Sequence, residues 1–210
     1  NARQIDLALL PGPICHEFTA SRAAAASRQQ PTAPTMPSEG VDADLRERSQ
    51  KHISFGEVTE KNVDQVRKLN LAVFPVRYND KFYADLATTH GKFTQLGFFS
   101  DILVGAICCR VEPLDGTKFK VYIMTIGVLA PYRRLGIGQQ LLKEMLKKCG
   151  EDANCAEVYL HVQVGNDDAV EFYKRFDFEV GETVKDYYKR IEPPDAVVLA
   201  KRPPFVTTDS

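Results

Sequence analysis

The chain has 210 residues, 44% of them hydrophobic, and sets 27 Lys plus Arg against 28 Asp plus Glu. The length suits one globular domain with room for extra segments, and the charge balance gives no basis for nonspecific nucleic-acid binding. No run of 18 uncharged apolar residues occurs, so neither a transmembrane helix nor a membrane partner is expected.

Residues 1–50 read as a disordered extension, because the Ala/Ser/Arg/Gln/Pro/Thr stretch at 20–37 has little apolar surface to bury. Met36, ahead of Pro37, Ser38 and Glu39, is a candidate start. The rival reading is a targeting segment carrying Arg3, Arg22 and Arg28, against which Asp6 and Glu17 count. The five cysteines are odd in number and form no CxxC pairs. That argues against a structural zinc or a disulfide framework and for a reducing compartment; no metal is expected.

Alternating strands and helices follow over 51–193. Ile53, Phe55 and Val58 suggest a first strand. Thr59 is placed to cap a helix over 60–73, where Val63, Val66, Leu69 and Val73 recur at helical spacing. Pro75 disfavours helix at Phe74, and Asn79 can cap a short second helix to about Leu86. Strands are expected at 93–99, 102–112 and 118–129, with Asp115-Gly116 turning between the last two. A helix from Gly136 to about Cys149, a strand at 157–164, and a helix capped by Asn166 come next. Final strands are expected at 178–184 and 186–192, with the folded domain ending near 199 and a flexible tail at 200–210.

Chemistry concentrates where the strand on which Tyr122, Met124 and Ile126 are expected to share one face runs into Arg133-Arg134-Leu135-Gly136-Ile137-Gly138 and then a helix. Glycines let backbone N–H groups point inward at an anion, the helix end adds unpaired donors, and the arginines add charge. This fits a pyrophosphate, although the plain alternative is a solvated Arg pair before a glycine turn. Neither the dinucleotide GxGxxG nor the Gly-Lys-Ser/Thr of a nucleotide loop is present. On the strand after the helix, Val158, Leu160 and Val162 alternate with Tyr159, His161 and Gln163, so His161 faces away from the apolar side. Its residue type fits either a structural histidine or a base.

Arg133-x-x-Gly136-x-Gly138, in this strand–loop–helix order, resembles the acetyl-CoA signature of the GNAT superfamily. Phe74-Pro75-Val76-Arg77-Tyr78-Asn79-Asp80-Lys81-Phe82-Tyr83, Tyr122-Ile123-Met124-Thr125, Tyr159-Leu160-His161-Val162-Gln163 and Tyr187-Tyr188-Lys189-Arg190-Ile191-Glu192-Pro193 extend the likeness to the NatE-type N-terminal acetyltransferases over residues 53–199. The resemblance implies a GNAT fold: a mixed, mostly antiparallel sheet of about seven strands flanked by about four helices. It implies acetyl-CoA as cosubstrate, held by Ile126, Val128, Arg133, Arg134, Leu135, Gly136, Ile137, Gly138, Asn166 and Tyr173. Tyr122 and His161, with a water, become the general base, and Tyr173 a proton donor to the leaving thiolate. By residue type alone Tyr122 is more often a packing aromatic, packing explains Tyr173 nearly as well as the proton-donor role, and a plain helix cap explains Asn166 equally well.

Phe74, Pro75, Val76, Tyr78, Met124, Tyr187, Tyr188 and Ile191 are the implied substrate-binding residues, suited to an N-terminal methionine followed by a hydrophobic residue. Tyr187 and Tyr188 would point to opposite faces of a strand, so at least one is structural. Gly127 is a candidate for a local irregularity that frees a backbone N–H for the thioester carbonyl. A covalent route through Cys108 or Cys109 lacks a basic partner in sequence. Asp177 stands where GNAT proteins often have glycine. The implied partners are protein N-terminal peptides and the NatA subunits at the ribosome, in the cytoplasm and also the nucleus. Acetylation of lysine side chains, and a scaffolding role, are the alternatives.

Overall fold

The computed structural model describes residues 50–74, 77–88, 91–189 and 191–205. The expectations for residues 1–49, including the extension and Met36, and those for Pro75 and Val76, lie outside the described residues.

The strands are β1 (Ile53–Glu57), β2 (Gln95–Phe99), β3 (Ile102–Pro113), β4 (Phe119–Val128), β5 (Cys155–Gln163), β6 (Glu179–Val184) and β7 (Ala196–Lys201). The helices are α1 (Val63–Val73), α2 (Asp80–Ala87), α3 (Ile137–Gly150) and α4 (Asp167–Lys174). The strands form one sheet in the order β1-β2-β3-β4-β5-β7-β6. Every pair is antiparallel except β4–β5. Parallel neighbours need a crossover, and α3 supplies it.

The two faces of the sheet carry separate cores. α3 lays Ile137, Leu141, Leu142, Met145 and Leu146, all 1% exposed or less, on the face built by Ile123, Ile126, Val158, Leu160 and Val162. Each such burial is worth about 1.5–3 kcal/mol before ordering costs. On the other face, α1 and α2 pack Val66, Leu69, Tyr83 and Leu86 around Cys108, Tyr122 and Met124.

Several element boundaries differ from expectation. α1 starts at Val63, because Asn62 folds its side chain back, accepting from the Thr59 N–H at 2.7 Å and donating to the Glu57 carbonyl at 3.0 Å. Residues 91–93 form a 3-10 turn, which delays β2 to Gln95. Val164 falls beyond β5 and is 38% exposed.

The larger correction concerns the C-terminal part. Of the span 186–192, the described residues 186–189 and 191–192 are not a strand. The chain loops out between Asp186 and Asp195, and Asp195 closes the base by accepting from the Asp186 N–H at 3.0 Å and pairing with Lys185 at 2.5 Å. Pro193 and Pro194 have no N–H to give a ladder. The last strand is β7 instead, which lies between β5 and β6. Ordered packing continues past 199, since β7 reaches Lys201 and Phe205 is 5% exposed within the core.

A bulge sits in β4. Cys108 faces Thr125 while Cys109 faces Ile123, so Met124 is the extra residue. An extra residue flips the side-chain alternation beyond it. Tyr122 and Met124 therefore join one core, whereas Ile126 and Val128 join the other. Ile126 does not share the face of Tyr122, and the irregularity is at Met124 rather than Gly127, which pairs regularly with Ala106.

Candidate active site

The β4–β5 ladder ends at Tyr122 and Tyr159. Beyond those residues the two parallel strands stop pairing. β4 continues to Val128 bonded only to β3, and β5 to Gln163 bonded only to β7. Residues 123–128 thus present one edge of backbone polar groups with no ladder partner, and such groups demand an acceptor or donor from elsewhere.

At the end of that edge, residues 130–132 form a 3-10 turn and the chain then twists sharply into α3. Arg134 has φ +66° and Gly136 φ +83°, left-handed positions that aim successive N–H groups the same way. The first bond of α3 is Gln140 N–H to the Gly136 carbonyl at 3.0 Å, which leaves the preceding N–H groups without intrahelical acceptors. No acidic residue occupies the first turn, so the positive helix end is unopposed. Arg133 folds back, its Nε donating to the Val128 carbonyl at 3.0 Å, while Arg134 is exposed. The side chains of Ile126, Val128 and Ile137 are buried in the core, so these residues offer their backbones to the edge and the turn.

At the mouth of the opening lies an aromatic cluster. His161 of β5 stacks on Tyr187 with centroids 4.1 Å apart and planes 12° apart. The Tyr187 and Tyr122 hydroxyls are hydrogen-bonded at 3.0 Å, and the Tyr122 ring meets His161 edge-on at 5.7 Å. His161 Nδ1 is buried with no hydrogen-bond partner among the described residues. Burial holds the imidazole below its ordinary pKa, and the charge of Glu112 opposes that drop. Burial likewise raises the Tyr187 and Tyr188 hydroxyls.

The acetyltransferase (GNAT) family model matches residues 63–178. The chain belongs to the GNAT acetyltransferase family. It is 52% identical to N-alpha-acetyltransferase 50 of Danio rerio, over 71% of this chain and 88% of that protein. It is 48% identical to the probable N-acetyltransferase san of Drosophila melanogaster, over 71% of this chain and 80% of that protein. Among solved structures, Arabidopsis thaliana Naa50 in complex with the bisubstrate analogue CoA-Ac-MVNAL superposes with a TM-score of 0.66 at 50% identity, covering 71% of this chain and 98% of that one.

The residues present in this GNAT chain fit a coenzyme A thioester on their own evidence. The glycine turn, the unopposed helix end and the unpaired β4 edge lie in sequence along one path. Tyr173 adds a fourth feature: it is 0% exposed, yet its hydroxyl has no partner among the described residues. Burial pushes that hydroxyl well above its ordinary pKa, with Cys109 and Tyr122 adding to the rise. Asn166 is a helix cap, accepting from the Ala169 N–H at 3.2 Å.

On the acceptor side the structure gathers Phe74, Tyr78, Met124 and Tyr122 into one buried cluster. Phe74 meets Tyr78 edge-on at 6.3 Å. Tyr187 and Tyr188 belong to a loop, not to strand faces. Tyr187 turns to His161, whereas Tyr188 is 7% exposed and its N–H bonds the Pro194 carbonyl at 2.8 Å. Ile191 is half-buried. Cys108 and Cys109 are both 0% exposed, and burial pushes the Cys108 thiol up to about 11, a poor start for a nucleophile.

Three residues of the cluster were not singled out from sequence. Tyr159 donates its hydroxyl to Glu112, Glu112 also holds Arg110, and the Arg110 guanidinium lies 4.9 Å over the Tyr122 ring. The alternation of β5 put Tyr159 beside His161, but no sequence signal told that Arg110 would register opposite Tyr122.

Proposed function

We propose that this chain is an N-alpha-acetyltransferase that moves the acetyl group of acetyl-CoA to the free N-terminal amine of proteins, preferring Met followed by a hydrophobic residue. The observation that carries this reading is the single opening between β4 and β5. The glycine turn lies at one end of it, and the Tyr122–His161–Tyr187 cluster at the other. The activity named for relatives about 50% identical supports the class of reaction.

Bound acetyl-CoA supplies an activated acyl carbonyl with a thiolate leaving group. The backbone N–H groups of 135–138 and the positive end of α3 would take its pyrophosphate, with Arg134 adding charge and Arg133 bracing the end of β4. The free edge around Ile126 to Val128 would donate to the thioester oxygen.

An α-amino group has a pKa of about 7.7–8.0, so part of it is neutral at pH 7 and can attack. Attack makes its remaining protons strongly acidic, so a weak base suffices to take one. His161, kept neutral by burial, accepts that proton through a water that Tyr122 helps to hold. The new bond is N–C and the broken bond is C–S; Tyr173, protonated at rest because burial raises its pKa, would hand its proton to the leaving sulfur and regain one as His161 releases to water the proton it took.

Phe74 and Met124, which share one buried cluster, offer an apolar recess for methionine. Tyr78 and Tyr188 flank the peptide backbone and Ile191 closes the recess, while Tyr187 braces the base. Loops on both sides of the site admit a chain terminus more readily than an internal lysine. The peptide of the analogue bound by Arabidopsis Naa50 begins Met-Val, which accords with this preference. A NatE-type association with NatA subunits at the ribosome, in the cytoplasm and nucleus, completes the proposal on family resemblance.

The test is mass-spectrometric mapping of acetyl groups on the peptide Met-Val-Asn-Ala-Leu extended by one lysine, with its α-amine free or blocked. Acetylation of the free α-amine alone is expected. Equal modification of both peptides, on lysine, would sink the reading.

A further inference from the structure

We propose that Glu112 is a positioning residue of this site: its carboxylate holds Arg110 and Tyr159 so that Tyr122 and His161 keep their mutual geometry. The inference rests on the N-terminal acetyltransferase reading and adds a residue that none of the motifs contains.

Glu112 lies near the far end of β3, paired with Lys120 of β4. Its Oε1 accepts from Arg110 Nε at 2.9 Å and from a second guanidinium nitrogen, and its Oε2 accepts from the Tyr159 hydroxyl. Both neighbours then press on the site. Arg110 is fixed 4.9 Å over the Tyr122 ring, and the Tyr159 ring packs 5.0 Å from Tyr122 and 6.1 Å from His161. A single carboxylate therefore orders the layer beneath the Tyr122 and His161 rings. The side chains of Arg110 and Glu112 are only 20% and 30% exposed, so water screens the arrangement weakly.

The groups facing His161 can be named from each packed element. They are Tyr122 from β4, Tyr159 from its own strand, Tyr187 from the loop, and Arg110 with Glu112 from β3. Lys120 stands behind Tyr159, 5.8 Å over its ring and paired with Glu157, and β7 places the uncharged Val198 opposite His161. Glu112 is thus the one carboxylate acting on His161 among these described groups, and its field favours the protonated imidazole.

The experiment measures kcat, KM and the pH dependence of kcat/KM on a free Met-Val peptide for wild type, E112Q and Y159F. E112Q keeps the shape and one acceptor but loses the charge. Its kcat is expected to fall about tenfold or more, as small displacements of reacting groups do, with KM for acetyl-CoA unchanged. The acid limb of its profile is expected to move to lower pH. Y159F is expected to lower kcat while leaving the acid limb where wild type has it, because the charge of Glu112 survives. An E112Q enzyme with wild-type kcat and an unmoved limb overturns the proposal. Inactivity of the wild type toward free N-termini would instead overturn the functional reading, so the two failures are distinguishable.

Discussion

Gly127→Ala is the substitution whose effect follows most directly from the packing. A Cβ built at Gly127 lies 2.8 Å from Val73 Cγ1, 2.9 Å from Phe74 Cζ and 3.3 Å from Phe74 Cε2. Carbon atoms pack at about 3.5–4.0 Å, so both side chains would have to retreat by roughly 0.7–1 Å. Phe74 has little room, being 5% exposed against Tyr78, while the half-buried Val73 at the end of α1 yields more easily. Overpacking of this kind costs about 1–3 kcal/mol. For a domain of this size the melting temperature falls about 2–4 °C per kcal/mol, giving a drop of about 2–12 °C by calorimetry. Because Phe74 and Met124 line the proposed acceptor recess, KM for a Met-Val peptide should rise, while titration calorimetry with coenzyme A should match wild type. Shortening the obstructing ring with Phe74→Leu should recover part of the lost stability. Unchanged melting and unchanged peptide KM would refute the packing argument.

The pH response of His161 has a defined sign. Its folded-state pKa is lowered by burial, so the unfolded chain binds the proton first as pH falls. Stability from this residue is therefore intact above about pH 6.5 and declines below it until the folded value is passed, and urea titrations should show His161→Ala losing less than wild type between pH 7 and 5. Tyr173→Phe removes a buried hydroxyl that has no partner, so melting should be unchanged or higher while kcat drops about 10²-fold or more. Asp177→Asn keeps a side chain that tolerates φ +59° but strips the charge 3.1 Å from Lys201 Nζ, whose side chain is 4% exposed. A loss of about 1 kcal/mol is expected by urea denaturation, less than for a fully buried pair because Asp177 is half exposed.

Sequence periodicity was a good guide wherever backbone geometry was regular. The alternation of β5 correctly turned His161 and Tyr159 away from Val158, Leu160 and Val162, because β5 is regular from Glu157 onward, its one register shift lying earlier, at Ala156. The same logic failed in β4, where the bulge at Met124 reverses the parity and moves Ile126 to the opposite core. A bulge is set by how two strands register, which a single strand does not record. Asn79 and Asn166 cap the helices they precede, a local bond that sequence can specify. Tyr187-Tyr188 read as strand because the residues are good strand formers, yet Asp195 and the proline pair fold them into a loop over His161. The apolar run at 196–200 was a sufficient strand signal, and the prolines before it obscured that. The layer formed by Arg110, Glu112 and Tyr159 depends on three strands meeting, so it became visible only in the folded chain.

In the proposed mechanism one opening holds the coenzyme at the glycine turn and the acceptor amine beside His161. A crystal structure of this chain with the analogue CoA-Ac-MVNAL measures that directly. Pyrophosphate density is expected on the N–H groups of residues 135–138, the methionine side chain against Phe74 and Met124, and a water joining the acetylated nitrogen to His161. Peptide density leaving the opening away from Tyr122 and His161, with the coenzyme seated at the turn, would contradict it.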